Sequence, residues 1–150
     1  MKKIFKIVLP ICLILALVLI LFFCFYGKRT LFMQTNNGEV RYRVESALTP
    51  KEQQKGLMYR KHMGTKHGMI FIFNPPRVAR MWMKNTFIPL DMVFFDRLGR
   101  VVRVHHKAIP HDETVISSNI PVAGVLEINA GEAEKFGIGM GSKLDLTPFQ

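Results

Sequence analysis

The sequence has no cysteine beyond position 24. Cys12 and Cys24 both lie in an apolar N-terminal run, so the rest of the chain can form no internal disulfide and offers no thiol nucleophile. No Gly-x-Ser-x-Gly setting surrounds Ser117-Ser118, and no Lys-Ser/Thr pair follows the glycines of residues 137–141. These absences argue against a cysteine or serine nucleophile and against a phosphate-binding loop.

Metal-ligating side chains are also few and poorly spaced. His105 and His106 are adjacent and point to opposite faces of a strand, while His62 and His67 are five apart across a glycine. No acidic residue stands at ligand spacing beside either pair. We therefore expect no metal site and no cofactor.

Charge is absent from residues 7–26. Twenty uncharged residues at 1.5 Å each span a hydrocarbon core of about 30 Å, which predicts a transmembrane helix. The bulky Phe22 and Phe23 before Cys24 suit neither signal cleavage nor lipidation. Residues 1–29 are thus predicted to be an uncleaved signal anchor that attaches the chain to the cytoplasmic membrane.

Orientation does not follow from the flanking charges. Lys2, Lys3 and Lys6 precede the run, and Lys28 and Arg29 follow it. A short basic start before a long apolar stretch is typical of a signal anchor. We expect a single-pass protein with residues 30–150 outside the cytoplasmic membrane, in the periplasm or extracellular space.

Residues 30–150 contain no repeat, low-complexity tract or linker, so they are predicted to form one domain, monomeric and stable without disulfides. Three of the 21 Lys and Arg residues precede position 28, and none of the 11 Asp and Glu residues does. Residues 28–150 therefore carry a net charge of +7, and a cationic domain attracts anionic lipid, polymer or solute.

Strand-like runs outnumber helical ones. Asn-Gly at positions 37–38 predicts a hairpin between residues 31–35 and 39–47, and Gly99 closes a second hairpin between residues 92–95 and 100–106. Further strands are predicted at residues 68–73, ended by Asn74-Pro75-Pro76, and at 78–84, 122–128 and 143–146. The fold class is α+β and β-dominated, a mostly antiparallel sheet or small barrel-like domain.

Two short helices are expected within it. Thr49 as N-cap, Pro50 at the first helical position and Glu52 three residues after the cap form a capping box. A helical turn is predicted at residues 131–136, before Gly137.

The stretch from Met81 to Met92 contains the only tryptophan. Read as a strand, it places Met81 and Met83 on one face and Arg80, Trp82 and Lys84 on the other. The first face is apolar and typical of a core, and the second sets an indole between two cations.

The block Trp82-Met83-Lys84-Asn85-Thr86, with residues 56–60, 68–73, 87–91 and 125–131, resembles the DUF192 family of uncharacterised prokaryotic proteins. The resemblance covers about residues 40–146, and its departures, Met81 and Gly141-Ser142, lie outside the central block. It implies a compact β-rich domain behind an export or anchor segment. Because the family has no established activity, it implies no catalytic residues.

The polar side chains of the matched blocks form the candidate site: Arg60, Trp82, Lys84, Asn85, Asp91 and Glu127. A cation, an amide and two carboxylates near an indole suit a pocket for a small polar, anionic or glycan-like ligand. We expect these side chains to converge on one solvent-accessible concavity.

Other functions remain open. Asp91 and Glu127 could act as acid and base of a hydrolase, or the polar set could serve the fold alone in a structural or interaction domain. Nucleic acid is not expected as a partner, because a membrane-held extracytoplasmic domain seldom meets it and one aromatic is a small stacking surface.

Overall fold

The computed structural model describes residues 28–149, and the predicted anchor lies outside this range except for Lys28 and Arg29. The strands are β1 (Lys28–Thr35), β2 (Gly38–Ala47), β3 (His67–Met81), β4 (Leu90–Phe95), β5 (Val101–Ala108), β6 (Ile116–Asn129) and β7 (Lys143–Leu144). The helices are α1 (Pro50–Lys55) and α2 (Glu132–Lys135), and a 3₁₀ turn spans Thr147–Phe149. Within residues 28–149, no helix has the length and apolar character needed to cross a membrane.

The strands form one curled sheet in the order β5-β4-β6-β3-β2-β1-β7, antiparallel except for the β2–β3 pair. Its two edges approach each other where Arg100 bridges to Lys143. There the Val101 N–H donates to the Ser142 carbonyl at 2.9 Å and the Leu144 N–H to the Gly99 carbonyl at 2.8 Å. The expectation of a β-dominated, mostly antiparallel domain is confirmed as a half-barrel with few short helices.

Both predicted hairpins are present. The β1–β2 turn ends at Gly38, whose φ of +102° is one that glycine adopts without strain. The β4–β5 turn is held by Asp96, whose carboxylate accepts from the backbone N–H groups of Leu98 at 2.9 Å and Arg100 at 3.0 Å. Local turn chemistry was therefore sufficient to place both.

The capping box of α1 also forms as predicted. The Thr49 hydroxyl accepts from the Glu52 N–H at 3.3 Å, and the Glu52 carboxylate accepts from the Thr49 N–H at 2.9 Å. Leu57, just beyond the helix, is buried and docks the segment on the sheet.

One strand boundary was predicted wrongly. Asn74-Pro75-Pro76 was expected to end a strand at Phe73, but β3 continues to Met81. Its pairing with β6 shifts register between Ile72 and Arg77, so the prolines occupy an irregularity where no ladder hydrogen bond needs their missing N–H. The length of β3 thus depends on its partner strand.

Apolar side chains cover both faces of the sheet, in line with the two-residue period of strands. The first face carries Leu31, Tyr42 and Leu126, and the second carries Phe71, Phe94 and Val125. Leu57, Met83 and Ile88, from the segments that connect the strands, are buried against the second face. Residues 72–81 of β3 extend beyond the end of β2 and are its outer half. The covering of the second face leaves room for a cavity beside this outer half.

Candidate functional site

A cavity of about 380 Å³ lies between α1 and the outer half of β3. Its apolar wall includes Leu57, Phe71, Phe73, Ala79 and Met81. Its polar groups come from Gln53, Lys55, Arg77, Arg80, Trp82, Thr86 and Glu127. A volume of this order lies within the usual range for small-molecule sites.

The end of α1 shapes one side of the cavity. Gly56 has φ +46°, and a Cβ at this position would lie 3.2 Å from the Phe71 ring. Gln53 fastens the helix to the sheet by donating to the carbonyls of Ile72 at 2.9 Å and Ala47 at 3.3 Å. The helix is thereby held beside β3 without filling the space between them.

Glu127 provides the most unusual group in the cavity wall. It lies on β6 between Met69 of β3 and Met92 of β4 and is only 4% exposed. Its carboxyl makes no hydrogen bond or ion pair with any residue in the range 28–149. Burial alone raises the pKa of Glu127 to about 8. At neutral pH the group is therefore a protonated carboxyl, able to donate one hydrogen bond and accept others.

Cations surround the mouth. The Arg77 guanidinium donates to the Gln53 side chain at 2.9 Å and stacks over Phe73, 4.4 Å from the ring centroid. The side chains of Arg80 and Lys55 are exposed and make no hydrogen bond or ion pair within the described part of the chain. Beside them Trp82 is 47% exposed, so two charges and an indole are available to a ligand.

The six predicted site residues do not meet in one cavity. Trp82 and Glu127 line it, and the other four lie elsewhere. Trp82 and Lys84 are both exposed and Met83 is buried, but the strand predicted over residues 78–84 ends at Met81, so these three residues do not alternate as part of a strand. Beyond Met81 the chain turns away from β3, and Lys84 pairs with Glu113 at 3.7 Å.

Arg60 and Asn85 hold connecting segments together. Arg60 binds both carboxylate oxygens of Glu45, at 2.7 and 2.9 Å, and this hydrogen bonding raises the pKa of Arg60. Asn85 adopts φ +53°, accepts the Tyr59 N–H at 2.8 Å and donates to the Tyr59 hydroxyl at 3.0 Å. Both residues therefore fix the loops that cover the second face.

Asp91 lies on the opposite face of the sheet from Glu127. It pairs with Ile128 of the first face, whereas Glu127 pairs with Met92 of the second. Asp91 is fully buried, and its carboxylate accepts from the backbone N–H groups of Lys107 at 2.8 Å and Ala133 at 2.9 Å. The sheet separates the two carboxyls, so they do not flank a common substrate as an acid–base pair.

Two further buried polar groups lie near Asp91 on the first face. The Tyr42 hydroxyl and Glu132 Oε2 are buried without a hydrogen-bond partner among the described residues. Burial, and then the charge of Glu132, raise the pKa of the Tyr42 hydroxyl. The other Glu132 oxygen accepts the Lys66 N–H at 3.0 Å and so ties a loop to α2.

Sequence reasoning did not select Gln53, Lys55, Arg77, Arg80 and Thr86 for the site. Arg80 carried a signal, because it shares a strand face with Trp82. The α1 residues carried none, since their place depends on how the helix docks against β3. Among the described residues no cluster of side chains suits a metal ion.

The family model of DUF192, described as an uncharacterized ACR, matches residues 32–146. No curated protein matches the chain. A crystal structure of a protein of unknown function from Novosphingobium aromaticivorans is 42% identical, with a TM-score of 0.77 over 79% of this chain and 84% of that one. A protein from Sinorhizobium meliloti, provisionally described as a transcription regulator, is also 42% identical, with a TM-score of 0.77 over 79% of this chain and 92% of that one.

Proposed function

The chain belongs to the DUF192 family, and from this premise we propose that its domain binds a small anionic ligand in the cavity between α1 and β3. One observation carries the proposal: the buried Glu127 carboxyl lines the cavity without a partner in residues 28–149. A buried polar group without a hydrogen bond costs free energy. A ligand that supplies the missing bond offsets this cost.

The charges around the mouth favour an anion. Arg80 and Lys55 offer unpaired positive charge, and Glu127, neutral below about pH 8, adds no negative charge at physiological pH. Its O–H can donate to a carbonyl, hydroxyl or carboxylate oxygen of the ligand. A small organic acid or an acidic sugar combines these features.

The apolar wall suits a ligand with a nonpolar or ring-shaped body. Phe71 and Phe73 lie in the interior, and Trp82 offers one indole face at the mouth. Aromatic faces of this kind hold rings and sugar C–H surfaces, while polar groups set the orientation.

Binding can be measured through Trp82, the only tryptophan. We expect members of a panel of small carboxylic acids and acidic sugars to change its fluorescence in a saturable way. Arg80→Gln should weaken binding at least about tenfold, because a hydrogen bond to a charged group contributes about 1.5–3 kcal/mol.

The dependence on pH tests the role of Glu127. Binding to the natural chain should weaken between pH 6 and pH 9, because Glu127 then loses its proton and repels the anion. Glu127→Gln should bind with an affinity that is nearly constant over this range. Glu134→Gln, which changes an exposed carboxylate on α2, is the matched control and should keep the pH dependence. The proposal is contradicted by a panel without any saturable response, by an affinity that Arg80→Gln leaves unaltered, or by a pH dependence that Glu127→Gln leaves unaltered.

We also propose that this binding takes place outside the cytoplasmic membrane, with residues 7–26 as the anchor. Their uncharged run of twenty residues is the support for this location.

A further inference from the structure

The chain enters the described domain at the end of the sheet where the cavity lies. Lys28, the first residue of β1, pairs with Glu45, close to the last residue of β2, Ala47. Because β3 runs parallel to β2 and places Phe71 beside Ala47, its outer half extends beyond β2 in the same direction. The entry end of the sheet is thus defined by the start of β1, the end of β2, the outer half of β3 and the start of β6, which pairs with it.

Large apolar side chains are exposed at the entry end. Their exposed fractions are 51% for Leu48, 44% for Val78, 47% for Trp82, 43% for Val115 and 51% for Ile120. Leu48 follows β2, Val115 precedes β6, and Ile120 neighbours Pro121, the residue paired with Val78. Eleven large apolar side chains of the described residues are exposed, and these five lie at the entry end. Exposed apolar groups that lie close together are typical of an interaction surface.

Cations stand among these apolar groups. Lys51 and Lys55 on α1 and Arg80 on β3 are exposed, and none of their side chains makes a hydrogen bond or ion pair within residues 28–149. The carboxylate of α1, Glu52, is turned back to the N–H groups of Leu48 and Thr49, each at 2.9 Å. The charge presented outward by α1 is therefore positive.

The sequence that precedes Lys28 is the basis for choosing the occupant of this surface. The uncharged run of residues 7–26 ends two positions before Lys28. The inference rests on the anchor proposed above: a bilayer that holds this run lies next to the entry end. We propose that the entry end docks on an anionic membrane surface. Trp82 and the aliphatic side chains enter the interfacial layer, while Lys51, Lys55 and Arg80 contact lipid phosphates.

This arrangement places the mouth of the cavity at the lipid interface, because Lys55, Val78, Arg80 and Trp82 also line the cavity. The docking itself requires no soluble ligand. Its test is therefore independent of whether the cavity binds a small anion.

Trp82 reports the docking directly, since the chain has no other tryptophan. The full chain is reconstituted into vesicles of phosphatidylcholine with or without phosphatidylglycerol, using acyl chains brominated near the headgroup. We expect brominated lipid to quench Trp82 strongly in the anionic vesicles and weakly in the neutral ones. High salt should reverse the quenching, because it screens exposed charges.

Two charge-matched variants separate docking at the entry end from a general effect of positive charge. Lys55→Gln combined with Arg80→Gln removes two cations of the entry end. Lys107→Gln combined with Lys135→Gln removes two from the opposite end, where β5 finishes and α2 follows β6. The first pair should lower the ratio of docked to undocked chains roughly tenfold or more, and the second should leave it nearly unchanged.

Four results overturn the proposal. The first three are an absence of quenching in anionic vesicles, equal quenching in neutral vesicles, and equal losses from the two variant pairs. The fourth is a full chain that does not sediment with the vesicles, since the bilayer is then not the neighbour of the entry end.

Discussion

Glu127 occupies a strand position where every paired neighbour is apolar. Met69 and Met92 flank it across the sheet, and no described residue compensates its burial. Strongly shifted carboxyl groups of this kind are found most often at binding and catalytic sites. Glu127 is therefore the residue at which the stability of the domain and the proposed function can be tested together.

The stability of the domain should fall as the pH rises above about 4.5. The pKa of Glu127 is about 8 in the folded state and near 4.5 in the unfolded chain, so between these values only the folded state retains the proton. Raising the pH then favours unfolding, by up to about 5 kcal/mol at pH 8 and above.

Chemical denaturation of the natural chain and Glu127→Gln at pH 5 and pH 8.5 checks this. We expect the difference in the free energy of unfolding, Glu127→Gln minus the natural chain, to be several kcal/mol more positive at pH 8.5 than at pH 5. Glu134→Gln, in contrast, should show no such gain, and a constant difference for Glu127→Gln would show that the carboxyl is already solvated.

Asp91 and Lys84 both lie in residues 82–91, which resemble the family, but their substitution should affect stability differently. Asp91→Ala should destabilise the domain by about 2–5 kcal/mol, because it leaves the part-buried Lys107 N–H and the buried Ala133 N–H without an acceptor. Lys84→Ala should cost about 0–1 kcal/mol, because its ion pair with Glu113 is solvent-exposed. Urea unfolding measures both, and equal costs would contradict these roles.

At the scale of elements, closure of the half-barrel depends on Gly99. It adopts φ +77°, and a Cβ there would lie 2.2 Å from the Leu144 carbonyl oxygen. The β4–β5 turn can approach β7 only because this position lacks a side chain.

Gly99→Ala should therefore cost at least about 1–3 kcal/mol, from strain at a left-handed position and from the clash with β7. Gly139→Ala is the matched control, since a Cβ at that position would have no atom within 4 Å and the φ of Gly139 is not left-handed. Hydrogen exchange at the Leu144 amide, which donates to Gly99, should accelerate in the first variant only. Unchanged exchange there would mean that β7 does not depend on the turn.

The elements predicted correctly from the sequence are those whose formation depends on residues only a few positions apart. Thr49 and Glu52 close their capping box within four residues, and Gly38 and Gly99 mark turns between adjacent strands. The end of β3 was misplaced because pairing with β6, a strand far later in the chain, outweighs the local effect of two prolines.

At the scale of the molecule, the parallel pairing of β2 with β3 explains where the cavity lies. β2 and β3 run in the same direction, so the connection through α1 must cross from one end of the sheet to the other. That crossing leaves α1 beside the outer half of β3 and creates the cavity between them.

The sequence by itself determined the β-dominated class, both hairpins, the capped helix and the family. These follow from side-chain periodicity, turn residues and short motifs, which act over a few neighbouring positions. Only the tertiary structure decided that Asp91 faces away from Glu127, that Lys84 pairs with Glu113, and that Arg80 and Lys55 stand at the mouth of the cavity. The physical reason is that strand register and the crossing of α1 decide which side chains meet, and both arise from pairing between distant segments.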